Sequence, residues 1–79
     1  MWVLLLATSM ECVAGLNEAA KAYIAKDYQT ALKEFSPLAN NGDAFAQSYL
    51  GDMYYSGEGV TQDYSQAADW YRKAAAQGN

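Results

Sequence analysis

Few side chains in this chain could carry a reaction. There is no histidine and one cysteine, Cys12. A nucleophile activated by an imidazole base is therefore unavailable. A single thiol forms no intramolecular disulfide, and without imidazole there is no standard zinc ligand set. Carboxylates remain, and a pair of them can work as acid and base. Asp52 and Glu58 are the nearest such pair, yet both read equally well as solvated surface. Carboxylates alone could in principle hold Ca²⁺ or Mg²⁺, but no Asp-rich loop has the spacing of an EF-hand. We assign no catalytic residue, no metal site and no cofactor, and read the chain as a non-enzyme.

Composition narrows the partners. The net charge is −4, with five Lys plus Arg in 79 residues. Such a chain lacks the basic stripe that a phosphate backbone requires, so nucleic acid is not an expected partner. Apolar residues make up 52% of the chain, which argues against disorder. At this length one small domain is expected, with a thin core. Much of the apolar fraction is alanine, which favours closely packed helices over bulky layers.

The N-terminus is a separate problem. Trp2 to Ala7 is a dense apolar run, too short for a bilayer span of about 20 residues. Residues 1–14 read as a signal-peptide remnant, with Cys12-Val13-Ala14 as the small residues before cleavage at Gly15. Two features oppose this: no Lys or Arg precedes the run, and Glu11 sits near the cleavage point. The rival reading is a retained N-terminal capping helix. A signal peptide implies a periplasmic or secreted protein, and its absence a cytoplasmic one. A membrane contact is expected only if the apolar segment is kept.

From Leu16 onward the pattern is helical. Leu16, Ala19, Ala20, Tyr23 and Ile24 follow the i, i+3, i+4, i+7, i+8 spacing of an amphipathic stripe. Asp27 is placed to cap a second helix, whose face carries Tyr28, Ala31, Leu32, Phe35, Leu38 and Ala39. Pro37 lies inside it and predicts a kink, or a tight turn near Lys33 and Glu34. Asn40-Asn41-Gly42 stops that helix, and Asp43 caps a third over about 44–56. Its apolar face takes Ala44, Gln47, Leu50, Gly51 and Tyr54. Gly51 in mid-helix costs about 1 kcal/mol against Ala, which suggests a close approach that a Cβ would obstruct. Gly57 and Gly59 supply a tight loop that Val60 can plug. Asp63 and Gln66 read as a capping box for a fourth helix. That helix is expected to bury Tyr64, Ala67, Ala68, Tyr71, Ala74 and Ala75, and to end at Gly78.

The second and fourth helices are versions of one another. Asp27-Tyr28 recurs as Asp63-Tyr64, an offset of 36 (63 − 27 = 36), and Ala31, Phe35, Ala39 and Gly42 recur as Ala67, Tyr71, Ala75 and Gly78. A fixed period of this length marks a repeat architecture, in which each unit buries its apolar face only against its neighbours. The layout is all-α: four helices in two antiparallel pairs.

Residues 44–78 carry Ala46-Gln47, Leu50-Gly51, Tyr54, Gly57, Gly59-Val60, Asp63-Tyr64, Ala67, Trp70-Tyr71, Ala74-Ala75 and Gly78. This stretch resembles a full Sel-one-like repeat (SLR). Leu16 to Asp43 is similar, less closely, to the tetratricopeptide-like unit that opens such arrays. The resemblance implies an α-α superhelix, or solenoid, with a concave groove. It implies an adaptor or scaffold for protein complexes, and many members are exported bacterial proteins. It brings no catalytic residues, and the cysteines of the disulfide-bearing subgroup are missing here. The expected organisation is 1–14 as signal remnant or cap, 15–43 as the first helix pair, and 44–79 as the SLR.

The resemblance also points to the surface. The aromatics Tyr28, Phe35, Tyr54, Tyr64 and Tyr71 fall on motif or stripe positions and are expected in the core, with Trp70 packed between successive helices. Phe45, Ser48, Asp52 and Tyr55 form another line on the third helix, at i, i+3, i+7 and i+10. The first helix of each pair lines the groove in tetratricopeptide-like stacks, so these four are the expected partner-binding residues. Exposed aromatics of this kind anchor many protein interfaces. Asn17 and Lys21 are weaker candidates. The rival expectation is a structural role, with homo-oligomer contacts or a longer array built through the open C-terminal end.

Overall fold

The computed structural model describes residues 15–77, and among these are four helices and no strand. Helix α1 covers 15–24. It is followed by α2 (Tyr28–Asn40), α3 (Ala44–Ser56) and α4 (Tyr64–Ala76). The readings of residues 1–14 and of Gly78 lie outside the described residues.

Three aspartates start three helices, because each carboxylate accepts from a backbone N–H left without a helical partner. Asp27 takes the Thr30 N–H at 3.4 Å, Asp43 that of Ala46 at 2.9 Å, and Asp63 that of Gln66 at 3.1 Å. Gln66 does not complete the box. The Asp63 N–H donates instead to the Tyr54 carbonyl at 2.8 Å, so the partner a glutamine side chain would need is already occupied.

The helices end by one device repeated three times. A left-handed residue follows each of α1, α2 and α3: Lys26 at φ 65°, Gly42 at φ 98° and Gly57 at φ 72°. The next N–H then reaches back to the helix. Asp27 donates to Ala22 O at 2.9 Å, Asp43 to Leu38 O at 3.0 Å, and Glu58 to Met53 O at 2.9 Å. This is the Schellman closure, for which glycine is the usual residue. Lys26 adopts it with a Cβ, at a cost of about 1 kcal/mol.

Pro37 makes no tight turn at Lys33 and Glu34; α2 runs unbroken through it. The ring removes one donor to the Lys33 carbonyl, which lies on the exposed side of the helix.

The core lies between the pairs. Phe35 and Met53 are its largest fully buried side chains. Phe35 lies flat on Tyr49, with ring centres 4.5 Å apart and planes at 12°. Tyr23 meets Tyr49 and Tyr28 edge-on, at 5.3 and 5.6 Å. Buried Ala19, Ala31, Ala39 and Ala46 let the helix backbones close in around these rings. Among the described residues Gln47 is the buried polar one, and both ends of its amide are satisfied. It donates to Ala39 O at 3.1 Å and accepts from Gln77 at 2.9 Å.

Several expected core residues lie outside it. Ile24 is 78% exposed, and Ala22 is buried in its place. Tyr64 is 60% exposed and Tyr71 37%; Ala68 and Ala75 are also exposed. On α4 only Ala67 and Ala74 are buried, with Trp70 half-buried against the core. Nothing in the described chain covers the outer side of α4, so its stripe stays open.

Candidate functional site

The surface line on α3 is where its spacing put it. Phe45 is 60% exposed, Tyr55 56%, and Asp52 is exposed between them. Ser48 is half-buried. The line contains no positive charge, and α3 as a whole has no Lys or Arg. Asn17 and Lys21 are exposed on α1, where Lys21 pairs with Glu18 at 3.8 Å.

Two residues that pattern alone placed in the core belong to this surface. Tyr64 leans on Tyr55, ring centres 5.1 Å apart. Tyr71 donates its hydroxyl to the Asp52 carboxylate. The Tyr71 ring lies directly over Gly51, where an added Cβ would come within 2.5 Å of Cε1. The missing Cβ thus lets a tyrosine ring pass over the helix and brings its hydroxyl to Asp52, the residue beside Gly51. No residue-type signal in α4 marks Tyr64 and Tyr71 as exposed, because Tyr28 and Phe35 hold the same places on α2.

The carboxylates Asp52 and Glu58 do not form an acid–base pair. Each is held by a different phenol: Asp52 by Tyr71, and Glu58 by Tyr23, whose hydroxyl donates to Oε1 at 2.7 Å. Burial, then the bond to Asp52 and its charge, push the Tyr71 hydroxyl up to about 12. Tyr23 is pushed up further, by burial first and then by Glu58. Tyr28 is raised by the same causes in the same order. Such phenols are proton donors that stay protonated at neutral pH, not bases. Among the described residues no group of His, Cys, Asp and Glu could hold a metal ion. No helix among them is long and apolar enough to cross a membrane. A shallow depression on α2, floored by Leu32 and rimmed by Gln29, Lys33 and Ser36, shares no residue with the α3 line.

Paired helices with αL closures, an interlocked boundary between pairs and no assembled reactive group define an α-helical repeat protein. Residues 44–79 match the Sel1 repeat family, so this segment is a Sel1-like repeat. Sel1 repeats are in general non-enzymatic protein-interaction modules. Over 43 residues the chain is 45% identical to the secretory immunoglobulin A-binding protein EsiB of Escherichia coli, a match covering 54% of this chain and 9% of that protein. No solved structure matches the chain.

Proposed function

We propose that this chain is a non-catalytic scaffold module that binds a polypeptide partner along α3. Phe45 and Tyr55 are the apolar anchors, with Ser48 and Asp52 as polar contacts between them. The observation that carries this reading is the pair of large aromatics left in solvent on one face of α3. Tyr is among the residue types enriched at interface hot spots, and Phe and Tyr are both enriched at interface cores. Residues 15–43 and 44–79 act as the two stacked units that present the face, and 1–14 is a leader or cap. Export to the periplasm or beyond is supported by the apolar run at residues 2–7 and by a relative named for binding an immunoglobulin. The mass of the mature protein tests the leader: a chain beginning at Gly15 removes any tether through that run.

Secretory immunoglobulin A is the first probe, followed by proteins captured from the native host. Phe45→Ala combined with Tyr55→Ala should weaken binding about tenfold or more while the far-ultraviolet circular dichroism stays unchanged. Unchanged affinity for a captured partner would remove α3 as the binding face. Loss of folding would place both rings in a structural role.

A second reading has its own observation. The open stripe on α4, headed by Tyr64 and Tyr71, supports a structural role in which this end joins another copy or a further unit of an array. Sedimentation across concentrations tests self-association, and a constant monomer mass would remove it.

A further inference from the structure

Tyr55 and Tyr64 are exposed neighbours, with ring centres 5.1 Å apart and planes tilted at 51°. Gln62 fixes both. Its Nε2 donates to the Tyr55 carbonyl at 2.8 Å and to the Tyr64 hydroxyl oxygen at 3.1 Å. Asp52 shares a face with Tyr55, three residues back on α3. The Tyr71 hydroxyl donates to its Oδ1, which leaves Oδ2 open as an acceptor among the described residues. Burial, then Asp52 and then Tyr55 raise the Tyr71 hydroxyl, so the Tyr55 phenol lies within electrostatic range of that pair. Two exposed rings and an open carboxylate oxygen thus stand together in solvent.

This face carries negative charge that the chain does not neutralise. Among the described residues Asp52 and Glu58 form no ion pair. Their partners are the Tyr71 and Tyr23 phenols, and a neutral donor leaves a carboxylate's charge in place. Both charges act on Tyr23, whose hydroxyl is raised by burial, then by Glu58 and then by Asp52. Helix α3 has no Lys or Arg. The cations on α4 are engaged elsewhere: Arg72 pairs with Asp69, and Lys73 sits over the Trp70 ring at 4.4 Å. Lys21 on α1 pairs with Glu18 at 3.8 Å.

We infer that the partner segment bound along α3 presents an arginine, which lies on the Tyr55 and Tyr64 rings and donates to Asp52, and an apolar side chain three residues away, which meets Phe45. This rests on the reading of α3 as the binding face and names the chemistry which that reading leaves open. A guanidinium is planar, so it covers a ring while its N–H groups point sideways to a carboxylate. It is also less strongly hydrated than an ammonium, so it loses less on leaving water. Phe45 stands seven residues before Asp52, about 10 Å along the helix. Three residues of extended chain, at about 3.3 Å each, cover that distance.

The test titrates the full, isotope-labelled chain with a blocked serine peptide that carries one leucine and, three residues on, one arginine. Amide resonances of Asp52, Tyr55 and Tyr64 should shift saturably. The same peptide with neutral citrulline for arginine should bind about tenfold more weakly, having lost both the ring contact and the ion pair. Asp52→Asn keeps an acceptor for the Tyr71 hydroxyl and should weaken the arginine peptide about threefold. Tyr64→Ser, at an exposed position, should weaken it about twofold or more. Equal affinity for the arginine and citrulline peptides overturns the inference. So does equal affinity for a lysine version, or an arginine affinity that neither substitution changes. Shifts confined to other parts of the chain overturn it as well. Absence of binding overturns it alone if Phe45→Ala with Tyr55→Ala still weakens a captured partner. If that double substitution also has no effect, the reading of α3 as the binding face falls with it.

Discussion

Phe35 and Tyr71 hold the same place in two versions of one helix, and their surroundings differ completely. Phe35 is sealed beneath Tyr49; Tyr71 lies across Gly51 with one side in water. The residue types barely differ between the two positions. In a stack, then, burial is a property of the neighbour and not of the helix that carries the residue. Side chains that serve as core in one unit serve as available surface in the next.

Truncation gives the broadest test of that contrast. Phe35→Ala removes a fully buried ring and should cost about 3–5 kcal/mol, enough to unfold much of a domain this small at room temperature. Tyr71→Ala should cost far less, because more than a third of its surface is in solvent. Equal losses in urea titrations would show that the two helices are equally covered in solution. Next in size is Gly51→Leu. A large side chain there must displace the Tyr71 ring, and overpacking of this kind costs about 1–3 kcal/mol. An unchanged melting point would mean that the ring swings aside without penalty.

A smaller effect has the opposite sign. Lys26→Gly should stabilise the chain by about 0.5–1 kcal/mol, since the αL turn after α1 then carries no Cβ strain. Gly42→Ala, at the matching turn after α2, should destabilise by a similar amount. Chemical denaturation of both variants would show whether the turns are equivalent. The smallest effect appears at high pH. Tyr71 is raised to about 12 from an ordinary value near 10. Folding therefore favours its protonated form. That contribution is complete below pH 10 and fades as the pH climbs from there through 12. Tyr71→Phe should flatten the alkaline fall in Tm, and an unaltered slope would assign it to Tyr23 and Tyr28.

What could be read from sequence was local. The three aspartate caps, the glycine stops at Gly42 and Gly57 and the close approach at Gly51 each follow from one residue's own chemistry, and each holds in the structure. Errors arose wherever a second element decides the outcome. Tyr64 and Tyr71 were placed in the core because Tyr28 and Phe35 resemble them, but among the described residues no neighbour covers the outer side of α4. Ile24 was placed on the buried stripe, yet at the last turn of α1 it points away and Ala22 faces inward. Lys26 gave no sign of its left-handed backbone, because lysine rarely adopts it. Pro37 was given too much weight: the bond it removes belongs to a carbonyl on the exposed side, so α2 does not break. In the candidate site, the exposure of Phe45 and Tyr55 was legible from their distance off the apolar stripe. The tie from Asp52 to Tyr71 was not, since it joins residues 19 apart on different helices.

The connection between α3 and α4 has a mechanical consequence. Its Gly59 is pressed against Tyr28, its carbonyl is reached by Gln29 at 3.5 Å, and its Glu58 is held by Tyr23. A linker belonging to one unit is thereby clasped by the other. Under tension applied at the two termini, force reaching this strand would load both halves together. Rupture should come as one event on an extension trace, with no plateau for a half-unravelled chain.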